Sequence, residues 1–371
     1  MSLTYLVAIL AVFTFGMVVV FPGSIKLRLA ERLSMDDARV GRLIMAWQVT
    51  TLIVTMLVGP ALDRFGHRPV LVLGFGIVAA AIALFAAASR RAVAFAAAVM
   101  LGLGGSFVNA GGNTLLPALS PDNPAAASNL GNVFFGLGAF VVPFLASFLF
   151  DRMGFRTGLR VFALAAAAPM IPAALAAYPV LSNGFDLMVA LGLLSSFVVL
   201  LAGLVLFCYI GLEVSAASWT TTYLKEAGFD EKRASVIFSL FWVAMMLSRL
   251  AASQWMTTEL GKAAVLSASF ASALILLLMT LRGGKVTAAV SVVTLGVFFA
   301  PLFPTIVGLT FARFNPSLYG TVFAIIFAVG LLGSSLVPPA VGSVSQKRGI
   351  RAAYRLMVAL AVALFFLAFF L

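Results

Sequence analysis

A chain of 371 residues that is 63% hydrophobic and only 10% charged cannot fold in water without exposing far more apolar surface than soluble domains tolerate. Its net charge of +12 sits in short polar interruptions between long apolar runs, and no nucleic-acid partner is expected. One cysteine, Cys208, and one histidine, His67, exclude an intrachain disulfide or a Cys/His metal cluster, and no nucleophile, base and orienter set points to an enzyme.

Apolar stretches long enough to cross a ~30 Å hydrocarbon layer follow one another along the whole chain. They lie near residues 3–22, 41–60, 70–88, 92–117, 128–150, 158–177, 193–222, 234–252, 263–281, 286–311, 319–345 and 351–371. Backbone polar groups in lipid must be satisfied internally, which leaves helices or closed barrels. These runs are too long and too uniformly apolar for barrel strands, which alternate. The expected fold class is therefore an all-α membrane protein with twelve transmembrane helices. The start, Met1 to Phe21, lacks a basic leader and a small-residue cleavage pattern, so it reads as a retained first helix. Between the sixth and seventh spans, Pro179, Ser182, Asn183, Gly184 and Asp186 mark a linker. The expected domains are a six-helix bundle over 1–178, a linker over 179–192 and a second six-helix bundle over 193–371.

The two halves echo each other. Asn123-Pro124 before the fifth span returns as Asn315-Pro316 before the eleventh, an offset of 192 that also relates Gly138 to Gly330. Pro143 and Pro338 are 195 apart, as are Trp47 and Trp242. Two parallel repeats produce such a pattern and place a site between them near the midplane.

After the second span the chain reads Gly59-Pro-Ala-Leu-Asp63-Arg64-Phe-Gly66-His67-Arg68-Pro69. This resembles the signature loop between helices two and three of the major facilitator superfamily, G-x-x-x-D-R-x-G-R-[RK], with His67 standing where a basic residue is usual. Gly59 permits close helix approach, Gly66 makes the turn, and Asp63 suits a helix N-terminus with Arg64 and Arg68 nearby. The resemblance implies that Asp63 braces the loop against the start of helix eleven, near Tyr319 to Thr321, in one of two alternating states. Gly59, Asp63, Arg64, Gly66 and Arg68 would thus act in gating. His67 is expected to belong to the turn.

Three further strings are similar to the fucose, galactose and glucose:proton symporter branch of that superfamily. They are Asn129-Leu-Gly-Asn132-Val-Phe-Phe-Gly136-Leu-Gly138-Ala, Tyr209-Ile-Gly-Leu-Glu213-Val-Ser-Ala-Ala-Ser-Trp219 and Phe303-Pro304-Thr305-Ile306. The resemblance implies two pseudo-symmetric six-helix bundles and secondary active transport of a sugar or sugar derivative by alternating access. It also implies a monomer in a bacterial inner membrane with both termini cytoplasmic. The expected partners are a small-molecule substrate and the lipid bilayer; no cofactor is expected, only a coupling ion, H+ or Na+. One departure matters: the branch uses carboxylates on helices one and four, whereas residues 3–21 and 92–117 contain no acid.

Intramembrane ionisable groups are costly and usually functional. Among the 12 acids only Glu213 is central in its span, with Tyr209 at i−4 and Thr220 at i+7 on the same face. Burial disfavours a charged carboxylate, which makes Glu213 the candidate for proton coupling or for accepting substrate hydrogen bonds. Asn109 and Asn113 share one face of the fourth span; Asn129 and Asn132 share one face of the fifth; Gln48 adds a third polar face with Thr51 and Thr55. Carboxamides both donate and accept, which suits a hydroxyl-rich ligand. Trp47, Trp219 and Trp242 offer stacking planes. The substrate-binding candidates are Gln48, Asn109, Asn113, Asn129, Asn132, Tyr209, Glu213, Trp219 and Trp242. The alternative for each carboxamide is interhelical bonding, and for each tryptophan, packing.

With the N-terminus cytoplasmic, 19 of the 24 Lys and Arg fall on the outer side, leaving Arg64, Arg68, Arg249, Lys262 and Arg313 inside. This inverts the positive-inside expectation. A basic outer face attracts anions or contacts anionic lipid. The alternative function is therefore export or import of an organic anion, lysolipid or drug-like compound. A transport-inactive membrane sensor or assembly partner is the alternative of another kind.

Overall fold

The computed structural model describes residues 2–179, 187–281 and 283–371. Among them, twelve helices are long and apolar enough to cross a membrane. In chain order they are α1 (Leu3–Leu33), α2 (Asp37–Phe65), α3 (His67–Ala87), α4 (Arg91–Ala118), α5 (Pro124–Met153) and α6 (Phe155–Ala167, resumed at Met170–Leu175). Then follow α7 (Phe197–Glu226), α8 (Glu231–Trp255), α9 (Thr258–Thr280), α10 (Lys285–Phe299, resumed at Leu302–Phe311), α11 (Tyr319–Arg348) and α12 (Ile350–Ala368). Residues 180–186 of the expected linker lie outside the described residues.

Several helices outrun the apolar stretches that announce them. The first span, expected to stop at residue 22, continues to Leu33 with Pro22 inside it. At 1.5 Å per residue a helix of 31 residues is roughly 46 Å long, so its last turns leave the hydrocarbon and carry Lys26, Arg28 and Arg32. Helical hydrogen bonds do not require apolar side chains, and membrane helices tolerate an internal proline where neighbours or water satisfy the freed carbonyl. The ends are set by caps instead. Asp36 accepts from Arg39 N at the start of α2, and Asp230 from Arg233 N at the start of α8. That bond holds the Asp230 carboxyl below its ordinary range.

Glycine contacts fix the register of the internal repeat. A Cβ on Gly138 of α5 would strike the Phe13 carbonyl of α1, and one on Gly333 of α11 would strike the Phe207 carbonyl of α7. The structural counterpart of Gly138 is thus Gly333, an offset of 333 − 138 = 195, and the expected pairing with Gly330 is corrected. Gly330 meets the tip of Ile210 instead. The offset of 192 between the Asn-Pro pairs has a local cause: a three-residue 3-10 turn, Pro316–Leu318, stands between Asn315 and α11, whereas Pro124 itself opens α5.

Contacts group the chain into two compact units. Unit 1 is Met1–Leu119, Phe134–Ala190 and Asn315–Ala324; unit 2 is Ser120–Val133, Leu191–Phe314 and Ile325–Leu371. The first turns of α5 therefore pack with unit 2, and the first turns of α11 with unit 1. Large apolar side chains such as Leu164, Ile171 and Leu175 on α6 stay exposed, as a helix facing lipid requires.

Candidate functional site

In unit 2, Tyr209 Oη donates to Glu213 Oε1 at 2.8 Å across one turn of α7, and Arg249 Nη2 of α8 approaches the same oxygen at 3.3 Å. The guanidinium also lies 3.4 Å from Tyr209 Oη. The Arg249 side chain is 4% exposed and that of Glu213 20%, whereas every other ion pair among the described residues has a partner at least 45% exposed. Arg249, counted in the sequence among the charges of the inner side, is a buried partner of Glu213. The α8 sequence around it, Phe-Trp-Val-Ala-Met-Met-Leu-Ser-Arg-Leu, is otherwise apolar apart from Ser248. An arginine so placed was the available signal.

What fixes Arg249 is a break in α10. Pro301 and Pro304 have no N–H, so the carbonyls four residues earlier, Val297 and Ala300, lose their helical partners. Consecutive residues of α8 replace them: Ser248 Oγ donates to Val297 O at 2.9 Å and Arg249 Nε to Ala300 O at 3.0 Å. Freed carbonyls of interrupted helices are a recurrent element of transporter sites. Phe299 and Phe303, which bracket the break, place their rings 6.0 and 6.4 Å from the Tyr209 ring.

The other unit 2 candidates are more firmly engaged in packing. Asn129 Nδ2 donates to Ala125 O and, at 3.0 Å, to Thr305 Oγ1, leaving its buried Oδ1 without a partner. Asn132 Nδ2 donates to Ser128 O. Trp219 Nε1 donates to Pro338 O at 3.1 Å and its ring fills the space left by Gly342. Trp242 packs edge-on against Phe238 and Phe241.

In unit 1, Asn113 Nδ2 donates to Asn109 Oδ1 at 2.8 Å, while Asn109 Nδ2 and Trp47 Nε1 are buried with no partner. Thr51, Thr55 and Ser106 bond among themselves and to the backbone of α2 and α4. Gln48 is exposed. The nine substrate candidates therefore fall in two groups: Gln48, Asn109 and Asn113 in unit 1, and the other six in unit 2.

The signature loop also lies in unit 1. Asp63, 3% exposed, accepts from Gly320 N at 2.8 Å, Thr321 N at 2.7 Å and Thr321 Oγ1 at 2.6 Å. These amides belong to the first turn of α11, where helical N–H groups have no internal acceptor and favour negative charge. Gly59 and Gly320 cross backbone to backbone, with no room for a Cβ on either. Gly66 has φ +80°, a conformation that only glycine adopts readily. Arg64 is exposed beside the Phe65 ring, and Arg68 donates to Ala176 O at 2.9 Å. His67 is buried, with Nε2 3.1 Å from Thr114 Oγ1 and its ring parallel to that of Tyr178. Burial pushes the Tyr178 hydroxyl up to about 12, against the lowering influence of Arg68.

An open depression of about 610 Å³ at the start of α8, lined by Phe229, Asp230, Lys232 and Arg233, holds none of the candidate residues.

Residues 4–338 match the model of the Major Facilitator Superfamily. The vesicular acetylcholine transporter of Homo sapiens is 26% identical over 253 residues, 62% of this chain and 47% of that protein. The chain thus spans about half the length of that relative. The glucose/galactose transporter of Brucella abortus biovar 1 is 27% identical over 331 residues, 81% of this chain and 78% of that one. Among solved structures, FucP, a fucose:proton symporter of E. coli, in its outward conformation superposes with a TM-score of 0.83 at 16% identity, over 99% of this chain and 98% of that one. The structural likeness is one of fold, and the match over residues 4–338 is one of family. The chain belongs to the major facilitator superfamily.

Proposed function

We propose that this transporter moves a small polar solute, a sugar or sugar derivative, by alternating access, and that Glu213 couples the movement to protons. The observation that carries the reading is the Glu213 carboxylate itself: an acid in the middle of a membrane helix, bonded to Tyr209 and Arg249 yet 20% exposed. Intramembrane acids of this kind mark ion and substrate pathways. The glucose/galactose transporter likeness over most of both chains supports a sugar as cargo. Asn109 Nδ2, buried without a partner, and the exposed Gln48 are the carboxamides best placed to meet hydroxyl groups. Asn113, Asn129, Asn132, Trp219 and Trp242 would shape the surroundings. Asp63, with Gly59, Arg64, Gly66 and Arg68, would stabilise one of the alternating states. The setting is a bacterial inner membrane with both termini cytoplasmic and the chain acting as a monomer. Purified protein in liposomes tests the reading: an inward proton gradient should drive uptake of a hexose or hexose derivative, and Glu213→Gln should abolish the accumulation. Uptake driven by a sodium gradient and indifferent to pH would replace the proton with Na+; no flux of any sugar or sugar derivative would refute the sugar reading.

A further inference from the structure

The Glu213 and Arg249 pair constrains the charge of the cargo. Arg249 is 3% exposed overall and tied through Nε to the carbonyl that Pro304 leaves free, so it cannot swing out to water when its counter-charge disappears. Glu213 has no such tether: its side chain is the more exposed of the two, and one oxygen, Oε1, receives both Tyr209 and Arg249. Besides α8, α7 packs against α10, α11 and α12. On these helices Tyr209 and Arg249 are the ionisable groups bonded to Glu213. Lys285, Lys347, Arg348, Arg351 and Arg355 lie in the terminal turns, and buried Tyr354 bonds Thr220. A proton arriving at Glu213 therefore leaves one fixed, buried and uncompensated guanidinium, a state that a low-dielectric site resists strongly.

We propose that Arg249 is the specificity-determining residue of this site, and that it takes the carboxylate of a small organic anion, a sugar acid in place of a neutral sugar, when Glu213 is protonated. This rests on the reading that Glu213 is the proton site. The proton comes from the aqueous phase and forms an O–H bond on the Glu213 carboxyl; no electrons move. The bound monoanion restores the charge that the proton removed, so proton and anion enter together and leave the site as neutral as it began. The planar fork of a guanidinium suits a carboxylate, and a hydroxylated body would meet the Tyr209 hydroxyl beside it.

The test uses the 371-residue chain in detergent and in liposomes, with gluconate and glucuronate as anionic probes and glucose and galactose as neutral ones. The wild type should bind gluconate or glucuronate more tightly as pH falls, by up to about tenfold per pH unit for one linked proton, and bind the neutral sugars weakly at every pH. Glu213→Gln should bind the anion with the pH dependence removed and should not accumulate it against a gradient. Glu213→Gln/Arg249→Met, which leaves no unpaired buried charge, should fold and lose the anion; Arg249→Lys should recover part of the binding. Preference for neutral sugars with proton-driven uptake that needs Glu213 would overturn the inference while leaving the proposed function intact. Anion binding that survives Glu213→Gln/Arg249→Met would overturn it too. Absence of binding and flux for gluconate and glucuronate would likewise overturn the inference.

Discussion

Arg249 Nε meets Ala300 O at 3.0 Å, and that carbonyl is free because Pro304 offers it no N–H. The position of a buried charge on α8 is thereby set by a missing hydrogen bond in α10. Ser248 and Val297 repeat the relationship one residue earlier, with Pro301 as the cause.

Pro304→Ala would return an N–H to α10 and compete with Arg249 for the Ala300 carbonyl. We expect thermal stability in detergent to hold or rise while the initial uptake rate falls. Wild-type uptake in this variant would show that the anchor does not matter for transport. Ser248→Ala should instead destabilise, by about 0.6–1.7 kcal/mol on the range measured for hydrogen bonds between membrane helices, because Val297 O then has no donor.

Asp63→Asn presents an amide group to donors that need acceptors, since Thr321 N and Oγ1 both point at Oδ2. The first turn of α11 should loosen. With Cys208 replaced by alanine, a cysteine introduced at Thr321 should react faster with a maleimide in the Asp63→Asn background than beside Asp63, and transport should slow at least several-fold. Equal labelling rates would show that the carboxylate does not hold this turn closed.

The two glycines of α11 should behave differently. Gly333→Ala drives a methyl into the Phe207 backbone, which cannot yield, and should cost about 1–3 kcal/mol as overpacking does. Gly330→Ala meets the end of the Ile210 side chain, which can turn aside, and should be tolerated. Thermal unfolding of the pair in one detergent separates them; comparable losses would contradict the register of 195.

Asn109→Ala and Asn129→Ala divide ligand recognition from packing. Asn129 joins α5 to Thr305 of α10, so its loss should lower the melting temperature. Asn109 has an idle amide, so its loss should weaken substrate binding more than it weakens the fold. A melting temperature more sensitive to Asn109→Ala would reverse these assignments.

The expectation of a repeat was sound, yet its register was blurred by three residues. Counting from Asn123 and Asn315 hides the 3-10 turn at Pro316–Leu318, which changes backbone path without changing hydropathy. The glycines reveal the true register only through what their missing side chains would strike. The pairing of Arg249 was hidden for a related reason: hydropathy along α8 carries no record of the carbonyls freed across the helix interface that make its burial tolerable.

By itself the sequence determined that the chain lives in lipid, that it crosses as twelve helices, and that the Asp63 loop follows the second of them. These follow from local quantities: hydropathy over about 20 residues, backbone satisfaction within a helix, and the backbone freedom of Gly66. The tertiary structure alone decided that Glu213 is paired, that Asn129 bonds Thr305 and Trp219 the Pro338 carbonyl, and that Gly138 answers to Gly333. Each of those depends on which distant atom occupies a few ångströms of space beside a side chain, and periodicity along one helix carries no record of its neighbour.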